Sequence, residues 1–147
     1  MTKEYILKSP EDSIKFAKMI ADLVEFGDIL ALRGDLGTGK TFFSQAFSKH
    51  LGVDEQVSSP SYVLLNEYTS KKFKISHFDL YRLNDQEEVF EIGIPEIFED
   101  GITLIEWPDI LGNLLPKNSI KINFEYYKDG RKVFVNSEKK EFIKKLK

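Results

Sequence analysis

Cysteine is absent from the 147 residues of the chain. This absence excludes a disulfide framework, a thiol nucleophile and a zinc site built from cysteines. No uninterrupted apolar run approaches the roughly 18 residues that a membrane-spanning helix needs, and the first residues lack the apolar region of a signal peptide. We therefore expect a cytoplasmic protein that has no membrane partner.

Arginine is scarce, with three residues in the chain, Arg33, Arg82 and Arg131. The formal net charge of −3 gives no general attraction to nucleic-acid phosphates. The segment Ser137 to Lys147 is the basic exception, with five lysines and two glutamates. Because Phe142 and Leu146 are four residues apart, we expect this tail to be a short docked helix with a solvated basic face. A tail that binds nucleic acid or membrane is the alternative.

A glycine-rich pattern is present near the start of the chain. Residues 34–41 read Gly34-Asp35-Leu36-Gly37-Thr38-Gly39-Lys40-Thr41, which fits G-x-x-x-x-G-K-[ST], the P-loop. An apolar strand over 28–33 precedes it and a helix over 41–50 follows it. The glycines let backbone N–H groups turn onto phosphate oxygens, and the positive end of the helix adds to that field. We expect Lys40 to reach the β- and γ-phosphates and Thr41 to ligate Mg²⁺.

The remaining segments are typical of one α/β domain over residues 1–147, with a partly parallel central sheet, antiparallel additions and flanking helices. Ser9 and Pro10 open a helix that we expect to end at Phe26-Gly27. The other predicted elements are a strand over 4–8, a hairpin of 62–68 with 73–78, a helix capped by 84–87, a strand over 102–105, and a hairpin of 120–126 with 131–135.

A P-loop needs a second acidic group to help hold Mg²⁺, and that group usually stands at the end of a neighbouring apolar strand. Glu106 follows residues 102–105, which are apolar or β-branched, and Asp79 ends the segment 74–79. For each of them the alternative is a surface acid at a strand terminus. Trp107 follows Glu106, and the residues alone leave open whether it belongs to the core or lies beside a ligand.

Other polar residues leave alternatives open. The hydroxyl-rich loop Ser58-Ser59-Pro60-Ser61-Tyr62 comes about 20 residues after the P-loop, where it is equally consistent with a switch that senses the γ-phosphate and with a plain turn. His50 ends a helix and is expected to be structural. For His77 a packed or hydrogen-bonded role is favoured over a catalytic one. For Arg131 a solvated side chain is the simpler interpretation.

Together these segments resemble the TsaE family, also called YjeE, which are bacterial ATPases of threonylcarbamoyladenosine synthesis in tRNA. The matching residues, in the family's order and spacing, are the P-loop 34–41, Ser59-Pro60-Ser61-Tyr62, His77-Phe78-Asp79-Leu80-Tyr81-Arg82-Leu83, Glu91-Ile92-Gly93-Ile94, Ile105-Glu106-Trp107-Pro108 and Gly130-Arg131. Many enzymes share the P-loop, whereas the combination of 77–83 with 105–108 is specific. Ser61 stands where the family usually has threonine, so the hydroxyl is kept.

The resemblance implies a small P-loop ATPase with ATP and Mg²⁺ as cofactors, weak alone and stimulated by partners. Its partners would be a TsaB-like and a TsaD-like protein, with TsaD as the transferase, and it would meet tRNA only through that complex. Position by position, Lys40, Asp79 and Glu106 would be catalytic. Thr41, Glu106 and Asp79 would hold the metal, with Glu106 as the Walker-B-like carboxylate.

The resemblance also implies where the nucleotide and the switch lie. The implied nucleotide-binding residues are Gly34, Asp35, Leu36, Gly37, Thr38, Gly39, Lys40, Thr41, Phe42, Glu11 and Arg131. Arg131 and the start of the first helix, Ser9 to Glu11, would lie near the adenine. Ser59, Pro60, Ser61 and Tyr62 would form a switch-like loop, and Trp107 would lie near the site.

Two other classes of P-loop protein are alternatives. A kinase of nucleotides would usually add a second lobe or lid with several arginines, and three arginines in 147 residues leave little room for one. A GTP-dependent switch would carry the guanine-reading motif Asn-Lys-x-Asp, which does not occur in the sequence.

Overall fold

The structure is a computed structural model of the chain and describes residues 2–57, Pro60 and 64–147. The strands in these residues are β1 (Thr2–Leu7), β2 (Ile29–Arg33), β3 (Leu65–Thr69), β4 (Lys74–Asp79), β5 (Ile102–Glu106), β6 (Ile120–Tyr127) and β7 (Gly130–Asn136). The helices are α1 (Pro10–Leu23), α2 (Lys40–His50), α3 (Gln86–Ile92), α4 (Ile94–Ile97) and α5 (Lys140–Lys145), with a 3₁₀ segment over Pro108–Leu114. None of the described helices is both long and apolar enough to cross a membrane.

The strands form one seven-stranded sheet in the order β1-β7-β6-β2-β5-β4-β3. Its centre is parallel, because β2 pairs with β6 on one side and with β5 on the other, and β5 pairs with β4. Its edges are antiparallel, with β3 beside β4 at one end and β7 and β1 beyond β6 at the other. The expected α/β class, with a partly parallel sheet and antiparallel additions, is confirmed.

The apolar pattern of each strand explains its place in the sheet. β2 carries four buried apolar residues in succession, Ile29 to Leu32, as expected for a strand that is covered on both faces. β5 is buried over its whole length in the same way. β6 begins with alternating buried and half-buried residues, so its core residues lie on one face. The P-loop strand β2 therefore occupies the middle of the sheet.

The core lies on both faces of the sheet. Leu104 and Ile105 are neighbours on β5 and so point to opposite faces. Leu104 belongs to the larger apolar cluster and Ile105 to the smaller one. In the larger cluster, Phe43 of α2 packs against Phe16 of α1 and Phe124 of β6, with ring centroids 5.7 and 5.8 Å apart. The smaller cluster contains apolar residues of α3, α4 and the 3₁₀ segment.

The first helix begins where the sequence predicts and ends earlier. The Ser9 side chain caps α1, and Pro10 occupies its first turn. The predicted end at Phe26-Gly27 is wrong, because Val24 is already extended at ψ 152°. Val24 nevertheless stays buried, so the apolar stripe continues past the last helical turn and its period overestimates the helix.

The two predicted hairpins and the docked tail helix are confirmed, although β3 begins at Leu65, and residues 62 and 63 of its predicted range 62–68 lie outside the described residues. β3 pairs antiparallel with β4, and β6 with β7. Phe142 and Leu146 are both buried, as the spacing of these residues in the tail predicts. The sequence predicts neither α4 nor the 3₁₀ segment, because elements this short carry too little helical period to be recognised.

Phe47 of α2 tests the core on which the P-loop helix rests. It is fully buried in the larger cluster, whereas Phe26 is 66% exposed. Phe47→Ala should lower the free energy of unfolding by about 3–5 kcal/mol through lost burial and a residual cavity. The matched change Phe26→Ala should cost less than about 0.5 kcal/mol. Urea unfolding followed by circular dichroism measures both, and equal costs would contradict this packing.

Candidate functional site

Three strands bring the candidate residues to one edge of the sheet. β2, β5 and β4 run parallel, so their carboxyl ends lie together. The P-loop follows β2, Asp79 ends β4 and Glu106 ends β5. Register pairs Glu106 with Asp79 on one side and with Leu32 on the other. The P-loop and both expected carboxylates are therefore neighbours.

Two glycines of the P-loop occupy positions where a side chain would not fit. A Cβ on Gly34, at φ +149°, would lie 2.6 Å from Thr38 Oγ1 and 2.7 Å from Phe124 O. A Cβ on Gly37, at φ +81°, would lie 2.6 Å from the Tyr126 hydroxyl oxygen. Both positions also have the positive φ that glycine adopts without strain. The loop is thus packed closely against β6.

Side chains of β6 and β7 hold the P-loop by its carbonyl groups. Tyr126 Oη donates to Leu36 O at 2.8 Å. Arg131 donates from Nε to Thr38 O at 3.1 Å and from Nη2 to Gly37 O at 3.2 Å, and its guanidinium carbon lies 4.7 Å from the Tyr126 ring centroid. In a planar trans peptide the N–H points away from the C=O. The N–H groups that follow these carbonyls therefore turn away from the two strands.

The interpretation of Arg131 as a solvated side chain is wrong. Its Nη1 also donates to Gly130 O, at 2.9 Å, so each guanidinium nitrogen bonds a backbone carbonyl. The signal was difficult to read from the sequence, because the bonded carbonyls lie 93 and 94 residues earlier in the chain.

Lys40 is buried at the start of α2, with 4% of its surface exposed. Its Nζ donates to Gly34 O and lies 3.7 Å from the centroid of the Trp107 ring. Burial lowers the pKa of Lys40, and nearby carboxylates, Glu106 foremost, oppose that shift. The ammonium group therefore belongs to a buried cluster of opposite charges, where electrostatic attraction is stronger than in water.

The two expected carboxylates make different contacts. Glu106 Oε1 lies 3.5 Å from Thr41 Oγ1, and Glu106 Oε2 lies 2.7 Å from His77 Nε2. Asp79 Oδ1 accepts a hydrogen bond from the Tyr81 N–H at 3.0 Å, in the turn after β4. Glu106 is therefore the carboxylate in contact with the P-loop hydroxyl, and Asp79 lies beside it.

These oxygen atoms suit a magnesium ion that is held largely by phosphate. Among the residues that the structure describes, no group of three or more His, Cys, Asp or Glu side chains is arranged to hold a metal. Mg²⁺ at phosphate-transfer sites is bound through one or two carboxylates with phosphate and water oxygens, and not by a cage of protein ligands. The Thr41 hydroxyl and the Glu106 carboxylate, with Asp79 beside them, are donors of this kind.

Trp107 has a strained backbone at the edge of the site. Its φ of 58° and ψ of 59° are left-handed, and such a conformation costs a bulky residue about 1–3 kcal/mol. The ring lies over the Lys40 ammonium and 4.8 Å from the Tyr81 ring centroid. Of the two alternatives left open by the sequence, the position beside Lys40 agrees with the one that puts Trp107 near the site.

A cavity of about 330 Å³ lies beside the P-loop. Its walls include Pro10, Ser13, Thr38, Phe42 and Arg131. A second cavity, of about 270 Å³, lies between the P-loop and the carboxylates and is lined in part by Lys40, Thr41, Asp79, Glu106 and Trp107. The two cavities share Gly37, Gly39 and Phe42, so they meet at the P-loop.

Not every predicted residue is brought to these cavities. Glu11 is exposed and lines neither, because Pro10 and Ser13 share one face of α1 and Glu11 lies on another. Ser58, Ser59, Ser61 and Tyr62 of the hydroxyl-rich loop lie outside the described residues. Pro60 is described; it is buried, and its carbonyl accepts a hydrogen bond from Leu64 N at 2.8 Å. The switch role of residues 59–62 stays a prediction.

The expected packed or hydrogen-bonded role of His77 is confirmed, because its buried ring contacts Glu106. Its spacing of two from Asp79 places both side chains on one face of β4. Sequence reasoning missed Tyr126, which contacts the P-loop from 90 residues away, because no local pattern marks it.

Comparison with known proteins agrees with the resemblance. The family model described as "Threonylcarbamoyl adenosine biosynthesis protein TsaE" matches residues 7–133. The crystal structure of Bacillus subtilis YdiB superposes with a TM-score of 0.81 at 26% identity, over 99% of this chain and 91% of that one.

Curated relatives described as "tRNA threonylcarbamoyladenosine biosynthesis protein TsaE" extend this result. The Rickettsia felis protein is 37% identical over 94% of this chain and 83% of its own length. The Haemophilus influenzae protein is 40% identical over 81% and 77%, and the Bacillus subtilis protein 36% identical over 78% and 72%. With a family match over most of its length and these relatives, the chain belongs to the TsaE family, whose members take part in tRNA threonylcarbamoyladenosine biosynthesis.

Proposed function

We propose that this chain binds ATP with Mg²⁺ and hydrolyses it as the ATPase component of threonylcarbamoyladenosine synthesis on tRNA. The observation that carries the proposal is the contact between the Thr41 hydroxyl and the Glu106 carboxylate beside a clamped P-loop. A phosphate-binding backbone and a metal-binding oxygen pair in one place are what hydrolysis of a nucleoside triphosphate requires.

The residues of the site have two proposed roles, which are to supply charge and to position the bound groups. The N–H groups of the P-loop and the Lys40 ammonium bind the phosphate oxygens, and burial strengthens both interactions. Thr41 and Glu106 would hold the metal, with Asp79 beside them. When bound, Mg²⁺ would supply positive charge that stabilises phosphate oxygens. The protein therefore contributes positioning and electrostatic stabilisation.

The cavity beside the P-loop is suited to the base of the nucleotide. Its volume of about 330 Å³ lies within the range of ligand pockets, and Phe16 and Phe42 supply apolar surface next to the P-loop. A purine attached to phosphates at the P-loop would extend into this space. Arg131 lines the same cavity but uses its guanidinium to hold the P-loop, so we assign it to the clamp and not to a base contact.

Partner control is proposed because two of the three arginines are engaged within the chain. Arg33 pairs with Asp109 at 2.9 Å, and Arg131 bonds the P-loop carbonyls. We therefore propose slow hydrolysis by the chain alone and stimulation by the TsaB–TsaD pair, which would bring the chain to tRNA.

Glu106→Gln tests the assignment of the metal carboxylate. The amide keeps the size of the side chain and loses its charge, so phosphate release from Mg-ATP should fall by roughly 100-fold. ATP binding, measured by calorimetry, should persist because Lys40 and the P-loop are unchanged.

Asp79→Asn is the matched comparison, because Asp79 is the register partner of Glu106 on the neighbouring strand β4. It should reduce phosphate release less than Glu106→Gln does. The opposite ranking would show that the two carboxylates are reversed. No phosphate release by the wild-type chain, alone or with TsaB and TsaD, would contradict the proposed ATPase function.

Tyr126→Phe tests the clamp on the P-loop. Removing the hydroxyl deletes one hydrogen bond to Leu36 O, so the dissociation constant for ADP should rise roughly three- to tenfold. Tyr127→Phe is the control, because the Tyr127 ring lies against Lys132 and not against the P-loop. Equal affinities of the two variants, measured by calorimetry, would show that the clamp does not organise the loop.

Addition of purified TsaB and TsaD tests partner control. A group supplied in trans to a P-loop enzyme can accelerate hydrolysis by roughly 10³–10⁵. We expect clear stimulation of phosphate release, and Lys40→Ala should abolish it by removing the phosphate-binding ammonium. Rapid hydrolysis by the chain alone, indifferent to both partners, would instead indicate an independent enzyme.

A further inference from the structure

His77 and Glu106 form a buried pair behind the metal-binding oxygens. The His77 side chain is fully buried, and 4% of the Glu106 side chain is exposed. The pair arises from sheet register: Asp79 stands opposite Glu106, and His77 lies two residues earlier on the same face of β4. Nε2 of the ring then reaches Oε2 of the carboxylate at 2.7 Å.

The hydrogen-bond pattern assigns the tautomer of His77. Its Nδ1 is buried and has no hydrogen-bond partner among the described residues. A hydrogen on Nδ1 would leave a buried donor unpaired and would also direct the Nε2 lone pair at a carboxylate oxygen. A hydrogen on Nε2 removes both costs. His77 therefore donates from Nε2 to Glu106 Oε2.

This donation decides which way the carboxylate faces. With Oε2 held by His77, Oε1 is the oxygen directed at Thr41 Oγ1, 3.5 Å away. The Lys40 ammonium is the main competing partner of Glu106. Burial lowers the pKa of Lys40, and the charge of Glu106 opposes that shift. Without the His77 donor, the carboxylate would be free to turn and pair with Lys40. The ammonium would then be unavailable for binding phosphate.

We propose that His77 is a positioning residue, which holds Glu106 Oε1 beside Thr41 for the metal and keeps the carboxylate from pairing with Lys40. The inference rests on the proposed binding of Mg²⁺ with nucleotide. A partner that orients a metal ligand typically changes metal affinity or activity by roughly 10–100-fold when removed.

Two variants of His77 separate orientation from packing. His77→Leu fills space but has no donor, whereas the amide of His77→Gln can donate near the original Nε2 position. The control is Thr103→Val on β5, which removes another buried polar atom that has no hydrogen-bond partner among the described residues. Thermal unfolding of all three variants reports whether each is folded.

Metal binding is the readout that does not depend on turnover. Calorimetric titration of Mg²⁺ into the protein–ADP complex should give a dissociation constant roughly tenfold or more weaker in His77→Leu than in the wild type. Affinity for ADP in EDTA should change less than about twofold. His77→Gln and Thr103→Val should both stay within about threefold of the wild type for Mg²⁺. Phosphate release should follow the same order.

If His77→Leu does not fold, nitrogen-15 NMR spectra of the histidine rings provide a second test. The chain has two histidines, so His50→Asn identifies the His77 signals. We expect an Nε2-bound hydrogen on His77, and ring shifts that move with Mg-ADP but not with ADP in EDTA.

Three results would overturn the inference. They are an Nδ1-bound hydrogen, wild-type Mg²⁺ affinity in His77→Leu, or a loss in His77→Gln as large as in His77→Leu. Absence of hydrolysis in the wild type would reject the proposed ATPase function, while Mg²⁺ titration and ring shifts would still decide the role of His77.

Discussion

The buried ammonium of Lys40 is the constraint around which the site is arranged. A buried cation is costly unless opposite charges and hydrogen-bond acceptors surround it, and here Gly34 O and the carboxylates of β4 and β5 do so. Those carboxylates can be buried only because the parallel strands end together beside the P-loop. Sheet topology thus places the carboxylates whose charge offsets the burial of Lys40.

The antiparallel additions contribute to the site as well as to the core. β6 and β7 extend the sheet beyond β2, and their side chains Tyr126 and Arg131 reach back to three consecutive P-loop carbonyls. A P-loop of glycines has high conformational entropy when free, so holding its carbonyls reduces the cost of ordering it around a ligand. The close approach at Gly37 follows from the same contact, because the Tyr126 hydroxyl occupies the space of a side chain.

Local patterns in the sequence predicted the P-loop, the central strands and both hairpins, because each depends on residues adjacent in the chain. The end of α1 was misplaced because its apolar stripe continues to Val24 after the helix stops. Contacts between distant strands were beyond local patterns: the bond of Tyr126 to Leu36 spans 90 residues and that of His77 to Glu106 spans 29. Such pairs depend on the register between strands, which local patterns in a single sequence do not reveal.

Trp107 connects the strained backbone of the site to the proposed binding of nucleotide. Its left-handed conformation lies between Glu106 and Pro108, both of which are buried. The ring lies over a Lys40 ammonium that also donates to Gly34 O. A phosphate bound at the P-loop would compete with both contacts for the Lys40 ammonium. The ammonium has three N–H donors but occupies only one position at a time. If Lys40 moves towards phosphate, the ring loses its cation, so phosphate binding and the environment of Trp107 change together.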